Sequence, residues 1–172
     1  IQKRIEKVEK WHTDVRYYDV YQGDNSNNEI IAGFYLDPYV RPETKRSGAW
    51  MGSCVDKNRA LGHNVPVAYL ICNGSPPSKD KPSLLSFSDV ETLFHEFGHG
   101  LQHMLTKIDI GDISGINGIE WDAVELPSQF MENWCYDETT LNRMAIHYET
   151  GEKMPKSMYE SLMEQKTFGA GI

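Results

Sequence analysis

This 172-residue chain has no lysine- or arginine-rich run, and its formal charge is −8. Tracking phosphates requires clustered cations, so nucleic acid and anionic membrane surfaces are excluded as expected partners. Cysteine is also scarce: Cys54, Cys72 and Cys135 are far apart, odd in number and never in a Cys-x-x-Cys pair. That pattern argues against a disulfide framework and for buried thiols in a reducing compartment, with cytoplasm expected and plastid or mitochondrion left open. No apolar stretch approaches the roughly 20 residues that span a bilayer, no signal-peptide pattern opens the chain, and no internal repeat occurs. The chain begins at Ile1 and ends on "FGAGI" without an obvious closing element, so a piece of a longer protein is expected.

What remains is ordinary globular composition, 40% hydrophobic and 24% charged, enough to bury a core in one domain over residues 1–172. Residues 2–10 read as a short amphipathic helix. "VRYYDVYQ" and "EIIAGFYLD" read as two strands of a hairpin around the polar turn "GDNSNN". Asp24, Ser26 and Asn28 alternate in that turn, but it lacks the central Gly and terminal Glu of a calcium loop. "PYVRPETKRSGAWMGSC" is polar and punctuated by Pro and Gly, whereas "VPVAYLICN" is an apolar run of strand length. A small sheet of about three strands is expected. Asn73-Gly74-Ser75 matches the glycosylation acceptor pattern, but Pro76 follows it and no secretion signal is seen. After the loop "GSPPSKDKPS" the periodicity turns helical: residues 88–105, 121–135, 139–148 and 155–166, the last opened by Pro155. The expected fold class is α+β, mainly helical.

Ser88-Asp89-Val90-Glu91 matches a capping box at the start of the first long helix. Around that helix, at about 100° per residue, Val90, Leu93, Phe94, Phe97, Leu101, Met104 and Leu105 form one apolar stripe. His95, Glu96, His99 and His103 fall on the opposite face, free for solvent or a ligand. His95 and His99 are four apart, so their imidazoles stack and both can reach one zinc ion at about 2.0 to 2.1 Å. Glu96 lies beside them, where a base acting on water should be. This is the His-Glu-x-x-His arrangement of zinc peptidases, and this composition would produce the pattern by chance only about once or twice in a hundred such chains. Gly98 and Gly100 each cost a helix about 1 kcal/mol against Ala, a loss understandable where a metal or substrate approaches the backbone.

A catalytic zinc site needs a third protein ligand and an open position. The extended pattern His-Glu-x-x-His-x-x-Gly-x-x-His is absent, with Gln102 and Leu105 at its last two landmarks. His103 is about 12 Å along the helix from His95, too far to share an ion. It is left beside the site, on the substrate side, or simply exposed. Glu120, Asp122, Glu125 and Glu132 are the acidic candidates in the next helix. There Trp121, Val124, Met131 and Trp134 mark a packing face, and Glu125, Ser128, Gln129 and Glu132 an adjoining polar stripe. Spacing leans towards Glu125, and Pro127 either kinks this helix or sits near its start.

"FHEFGHGLQHML", "SGING" and "WDAVELPSQFMENW" together resemble the catalytic core of the thimet oligopeptidase family of zinc peptidases, and within it the oligopeptidase A branch. The resemblance extends through "WHTDVRYYDVY", "GFYLDPYVR", "KRSGAWM", "PVAYLICN" and "HYETGE". It implies a zincin-like core, one zinc ion on His95, His99 and Glu125, and Glu96 as the general base that activates water. It also implies cleavage of short peptides by a monomeric enzyme in a deep channel, with substrate backbone pairing against a strand edge and "GDISGING" as a mobile loop near the site. Two departures stand out. Gln102 occupies a position where relatives often carry His, and the family's N-terminal helical lobe and C-terminal oxyanion-stabilising segment are not in this sequence. Competing expectations are a peptidyl-dipeptidase of the same family, and a zinc-binding piece without catalysis. The intact Glu96 speaks against the second, because a purely structural site does not need it.

Overall fold

The computed structural model describes residues 1–5, 8–23 and 29–168. The calcium-loop residues Asp24, Ser26 and Asn28 lie outside the described residues, as does the "GAGI" end. Five strands, β1 (Gln2–Lys3), β2 (Arg16–Tyr21), β3 (Ile30–Tyr39), β4 (Trp50–Val55) and β5 (Val67–Gly74), form one sheet in the order β1-β2-β3-β5-β4. Only β3 and β5 run parallel; the other neighbours are antiparallel, with β2 and β3 forming the expected hairpin. The α+β class holds, but the sheet has five strands where three were expected.

The two additional strands have different causes. The helix expected over residues 2–10 is replaced at its start by β1, which pairs Gln2 with Asp19 and Lys3 with Tyr18. The buried Asp19 carboxylate holds Arg4 through Nε at 2.8 Å, and the Arg4 guanidinium lies 4.8 Å over the Tyr17 ring. That tertiary anchor outweighs a weak local helical pattern; Glu6 and Lys7, also in that span, lie outside the described residues. Strand β4 arises within the Pro/Gly-punctuated stretch because β5 offers it a ladder from Trp50↔Ile71 to Val55↔Val67. An edge strand depends more on its partner than on its own propensity.

Among the described residues four α-helices follow: α1 (Phe87–Met104), α2 (Leu126–Glu132), α3 (Glu138–Met144) and α4 (Lys156–Thr167). The cap of α1 lies two residues earlier than expected, at Ser86: its Oγ accepts from the Asp89 amide and its own amide donates to the Asp89 carboxylate, so the capping box is Ser86/Asp89. Helix α2 is shorter than residues 121–135. Its run starts at Leu126 with Pro127 in the first turn, where the missing N–H costs nothing, and ends in a 3-10 turn at Asn133–Tyr136. Trp121 is therefore off the helix and 91% exposed, and Trp134 is also exposed, so neither marks a packing face. Helix α3 stops at Met144, short of residue 148, and Pro155 is the cap residue of α4.

One face of the sheet packs on α1. Val20, Ala32, Phe34, Ala68, Leu70 and Met104 are the buried cluster, with Phe97 and Leu101 against it. The Phe34 and Phe97 rings meet edge-on at 5.7 Å. Truncating a core side chain such as Leu70 to Ala would cost about 2 to 5 kcal/mol. The apolar stripe of α1 thus does face the core, except that Leu105, just past the helix end, is exposed. The opposite sheet face carries Tyr17, Tyr35 and Tyr69, covered in part by Trp11 at 5.3 Å from Tyr35 and 5.4 Å from Tyr69. No helix among the described residues is long and apolar enough to cross a membrane.

Candidate metal centre

Helix α1 carries His95 and His99 on successive turns, with ring centroids 4.9 Å apart and planes at 82°. The residue that meets them comes from the start of α2. Glu125 is the cap residue of that helix, and its Oε2 lies 3.2 Å from Nε2 of His95 and 3.2 Å from Nε2 of His99. Candidate ligand atoms of His95, His99 and Glu125 all lie within 4.8 Å of one another. Among the described residues this is the one such group of three or more. Ser128 Oγ donates to Glu125 Oε2 at 2.9 Å and to the Glu125 carbonyl at 2.8 Å, fixing the carboxylate. That bond, reinforced by the two imidazoles, holds the Glu125 pKa below the ordinary carboxylate value.

Gly98 allows this meeting of helices. A Cβ there would sit 2.5 Å from the Pro127 carbonyl oxygen and 2.5 Å from the Ser128 Cα, backbone atoms that cannot swing aside. Gly100 faces Leu70 of β5, with Cδ2 at 3.1 Å from the same ideal position. The two glycines therefore admit α2 and the sheet, not a metal or substrate as expected from the sequence. Their helix-propensity cost is offset by close packing on both sides.

Glu132 is the residue whose part sequence reasoning missed. It was one of four acidic candidates and a member of the polar stripe. The structure sets its Oε1 2.6 Å from Nδ1 of His95. A carboxylate there draws the imidazole proton to Nδ1 and leaves the Nε2 lone pair aimed at the shared point. The signal was its spacing of seven from Glu125, two helical turns, which returns a side chain to the same face. Of the other candidates, Glu120 and Asp122 are exposed and join no such group, and Gln129 is exposed too.

Glu96 is 7% exposed and lines a cleft of about 410 Å³ with Ala49, Glu91, Thr92, His95 and Glu132. Burial raises its pKa; His95 pulls the other way, Glu125 adds to the rise, and the Met51 N–H of β4 opposes it. Burial lowers the pKa of His99, favouring the neutral imidazole that a metal requires. Two imidazole nitrogens and one carboxylate oxygen, joined by no fourth His, Cys, Asp or Glu among the described residues, make a donor set that fits zinc.

His103 is 0% exposed, so the exposed alternative is overturned. Its Nε2 meets the Val55 carbonyl at 3.1 Å, tying the end of β4 to α1. Gly115, at φ +66°, folds over it so closely that a Cβ would lie 2.5 Å from Nδ1. Gln102 donates to the Gly115 carbonyl at 3.4 Å, so both residues hold the glycine-rich segment. The three thiols are free. Burial pushes Cys72 and Cys135 each up to about 11, as suits inert buried groups.

All of residues 1–172 match the sequence profile of Peptidase family M3. The chain is 56% identical over 166 residues to organellar oligopeptidase A, chloroplastic/mitochondrial, of Arabidopsis thaliana, covering 94% of this chain and 21% of that protein. Oligopeptidase A of Escherichia coli is 49% identical over 172 residues, 99% of this chain and 25% of its own length. Dipeptidyl carboxypeptidase of the same bacterium is 36% identical over 161 residues, 94% of this chain and 23% of its own length. The chain thus spans a quarter or less of each of these relatives. A full-length profile match and two relatives near half identity agree with the motif-based resemblance, and the chain belongs to Peptidase family M3.

Proposed function

We propose that this chain carries the catalytic centre of a zinc metalloendopeptidase that hydrolyses short peptides, with one zinc ion on His95, His99 and Glu125 and with Glu96 as general base. The observation that carries the proposal is the convergence of His95 Nε2, His99 Nε2 and Glu125 Oε2 beside a buried Glu96 carboxylate. Zinc held there would supply Lewis acidity, lowering the pKa of water towards about 7 and polarising a carbonyl. Glu96 takes the proton from the attacking water and delivers it to the leaving amine. Its raised pKa suits both halves of that transfer, since a stronger base accepts the proton readily and still releases it to an amine. Glu132 holds His95 in the productive tautomer and Ser128 holds Glu125. The whole enzyme is proposed to act as a monomer, in cytoplasm or an organelle.

The test is Glu96→Gln in the full chain. One zinc per molecule should remain while peptide hydrolysis falls away; undiminished turnover in a clean preparation removes Glu96 from its role. The relative named dipeptidyl carboxypeptidase keeps a second outcome in view. Digestion of peptides of increasing length separates internal cleavage, which the proposal requires, from stepwise release of C-terminal dipeptides.

A further inference from the structure

A buried lysine ties down the segment that leads into edge strand β4. Lys45 lies in residues 41–49, the strap that leaves the end of β3 and delivers the chain to edge strand β4. Its side chain is only 5% exposed. The ammonium donates to the Asp37 carbonyl at 3.1 Å, Asp37 Oδ1 at 3.1 Å, the Tyr39 carbonyl at 2.8 Å and the Cys72 carbonyl. It thereby ties the C-terminal ends of β3 and β5 to the strap with one charged group. Asp37 is shared with Arg41, whose guanidinium reaches both carboxylate oxygens at 2.7 and 2.5 Å, and with the Trp11 indole N–H at 2.9 Å. A second tether sits further along. The Asn73 side-chain amide, on β5, donates to the carbonyls of Arg46 (3.3 Å) and Gly48.

The next residue after those tethers is Ala49, which lines the cleft with His95 and Glu96. Two residues further is Met51 of β4, which pairs with Leu70 of β5 and whose backbone N–H acts on the Glu96 carboxylate. A strap of polar and glycine-containing sequence has little apolar content to hold it, so beyond the turn closed by the Thr44 and Lys45 amides on the Arg41 carbonyl its course draws on these side-chain bonds. We propose that Lys45 and Asn73 are positioning residues for the catalytic centre: by hanging the strap from the ends of β3 and β5, they set the start of β4 against Glu96. The inference rests on the role proposed for Glu96, but the placement of β4 can be measured without turnover.

The test compares Lys45→Met with Asn73→Asp, which keeps the shape of the side chain and loses its donor, in the full zinc-loaded protein. In both variants the Met51 amide should exchange with solvent at least tenfold faster, while the amides between β3 and β5 exchange as in the parent. If the parent hydrolyses peptides, kcat per folded, zinc-loaded molecule should also fall at least tenfold with zinc stoichiometry unchanged. Parent-like exchange at Met51 in both variants overturns the proposal whether or not the protein is a peptidase. So does a loss of activity that merely follows the unfolded fraction. Should Lys45→Met fail to fold, Asn73→Asp alone decides. Absent turnover in the parent would instead strike the proposed function, and the exchange measurement would still judge the strap.

Discussion

Glu132 Oε1 and His95 Nδ1 are 2.6 Å apart, a link between α2 and the histidine pair that does not involve the shared candidate ligand point. Since His95 Nε2 faces Glu125 at 3.2 Å, the ring is gripped from both ends by carboxylates with different tasks. One presents the lone pair, and the other meets it across the proposed metal position. Removing such an orienting partner typically costs 10- to 100-fold in metal affinity. Glu132→Gln should therefore weaken zinc binding by about that factor while leaving stoichiometry at one, as measured by competition with a chelating dye. An unchanged dissociation constant would show that packing alone orients His95.

Gly98 sets the distance between α1 and α2, and its replacement tests whether the ligand set depends on it. A methyl group placed 2.5 Å from the backbone of Pro127 and Ser128 must push α2 away. Gly98→Ala would gain about 1 kcal/mol in helix propensity and lose about 1 to 3 kcal/mol or more to overpacking. The expected result is net destabilisation in urea, together with weaker zinc binding because Glu125 moves with α2. A more stable variant with full zinc affinity would mean that the helices can separate without cost.

The His-Glu-x-x-His helix was legible because its information is local: periodicity places His95, Glu96 and His99 on one side whatever the rest of the chain does. The 12 Å argument against His103 as a ligand rests on the same local geometry, and His103 joins no group with His95 and His99 among the described residues. Its burial was not legible, since it depends on Gly115 folding over the ring and on the Val55 carbonyl, which are distant in sequence. Strand β4 was hidden because its pairing with β5 creates it, and β1 because a buried Asp19 captures Arg4. The residues supporting the candidate ligands, Ser128 and Glu132, had a spacing signal but no way to reveal which atom each would face.

Metal should stabilise the fold, because three side chains that converge only in the native state would hold it. Zinc at 100 times its dissociation constant adds about 2.7 kcal/mol, which disappears on chelation. Differential scanning fluorimetry with zinc and then with excess chelator should show a rise and its reversal, and His99→Ala should abolish both. A melting temperature indifferent to zinc in the parent would count against the site.

His103→Ala should separate a packing histidine from a ligand. The substitution empties a fully buried position and strands the Val55 carbonyl, for an expected loss of about 1 to 3 kcal/mol. Urea unfolding should register that loss while zinc stoichiometry and affinity stay at parental values. A fall in stoichiometry with stability intact would return His103 to the metal.

Asp37 makes stability depend on acid pH in a direction that follows from its surroundings. Burial alone would raise its pKa, yet bonds from Arg41, Trp11 and Lys45 bring it down to about 2 from the ordinary 3.8. A carboxyl group with a depressed native pKa stabilises the fold at every pH above its unfolded value. The contribution fades as pH falls from about 4 through 2, when the native carboxylate is finally protonated. The difference corresponds to about 2 kcal/mol. Asp37→Asn removes this titration, so the stability gap between parent and variant should be widest above pH 4 and shrink by about that amount towards pH 2. Urea unfolding at several pH values measures the gap, and one that stays constant from pH 5 to pH 2 would remove Asp37 as the source of acid sensitivity.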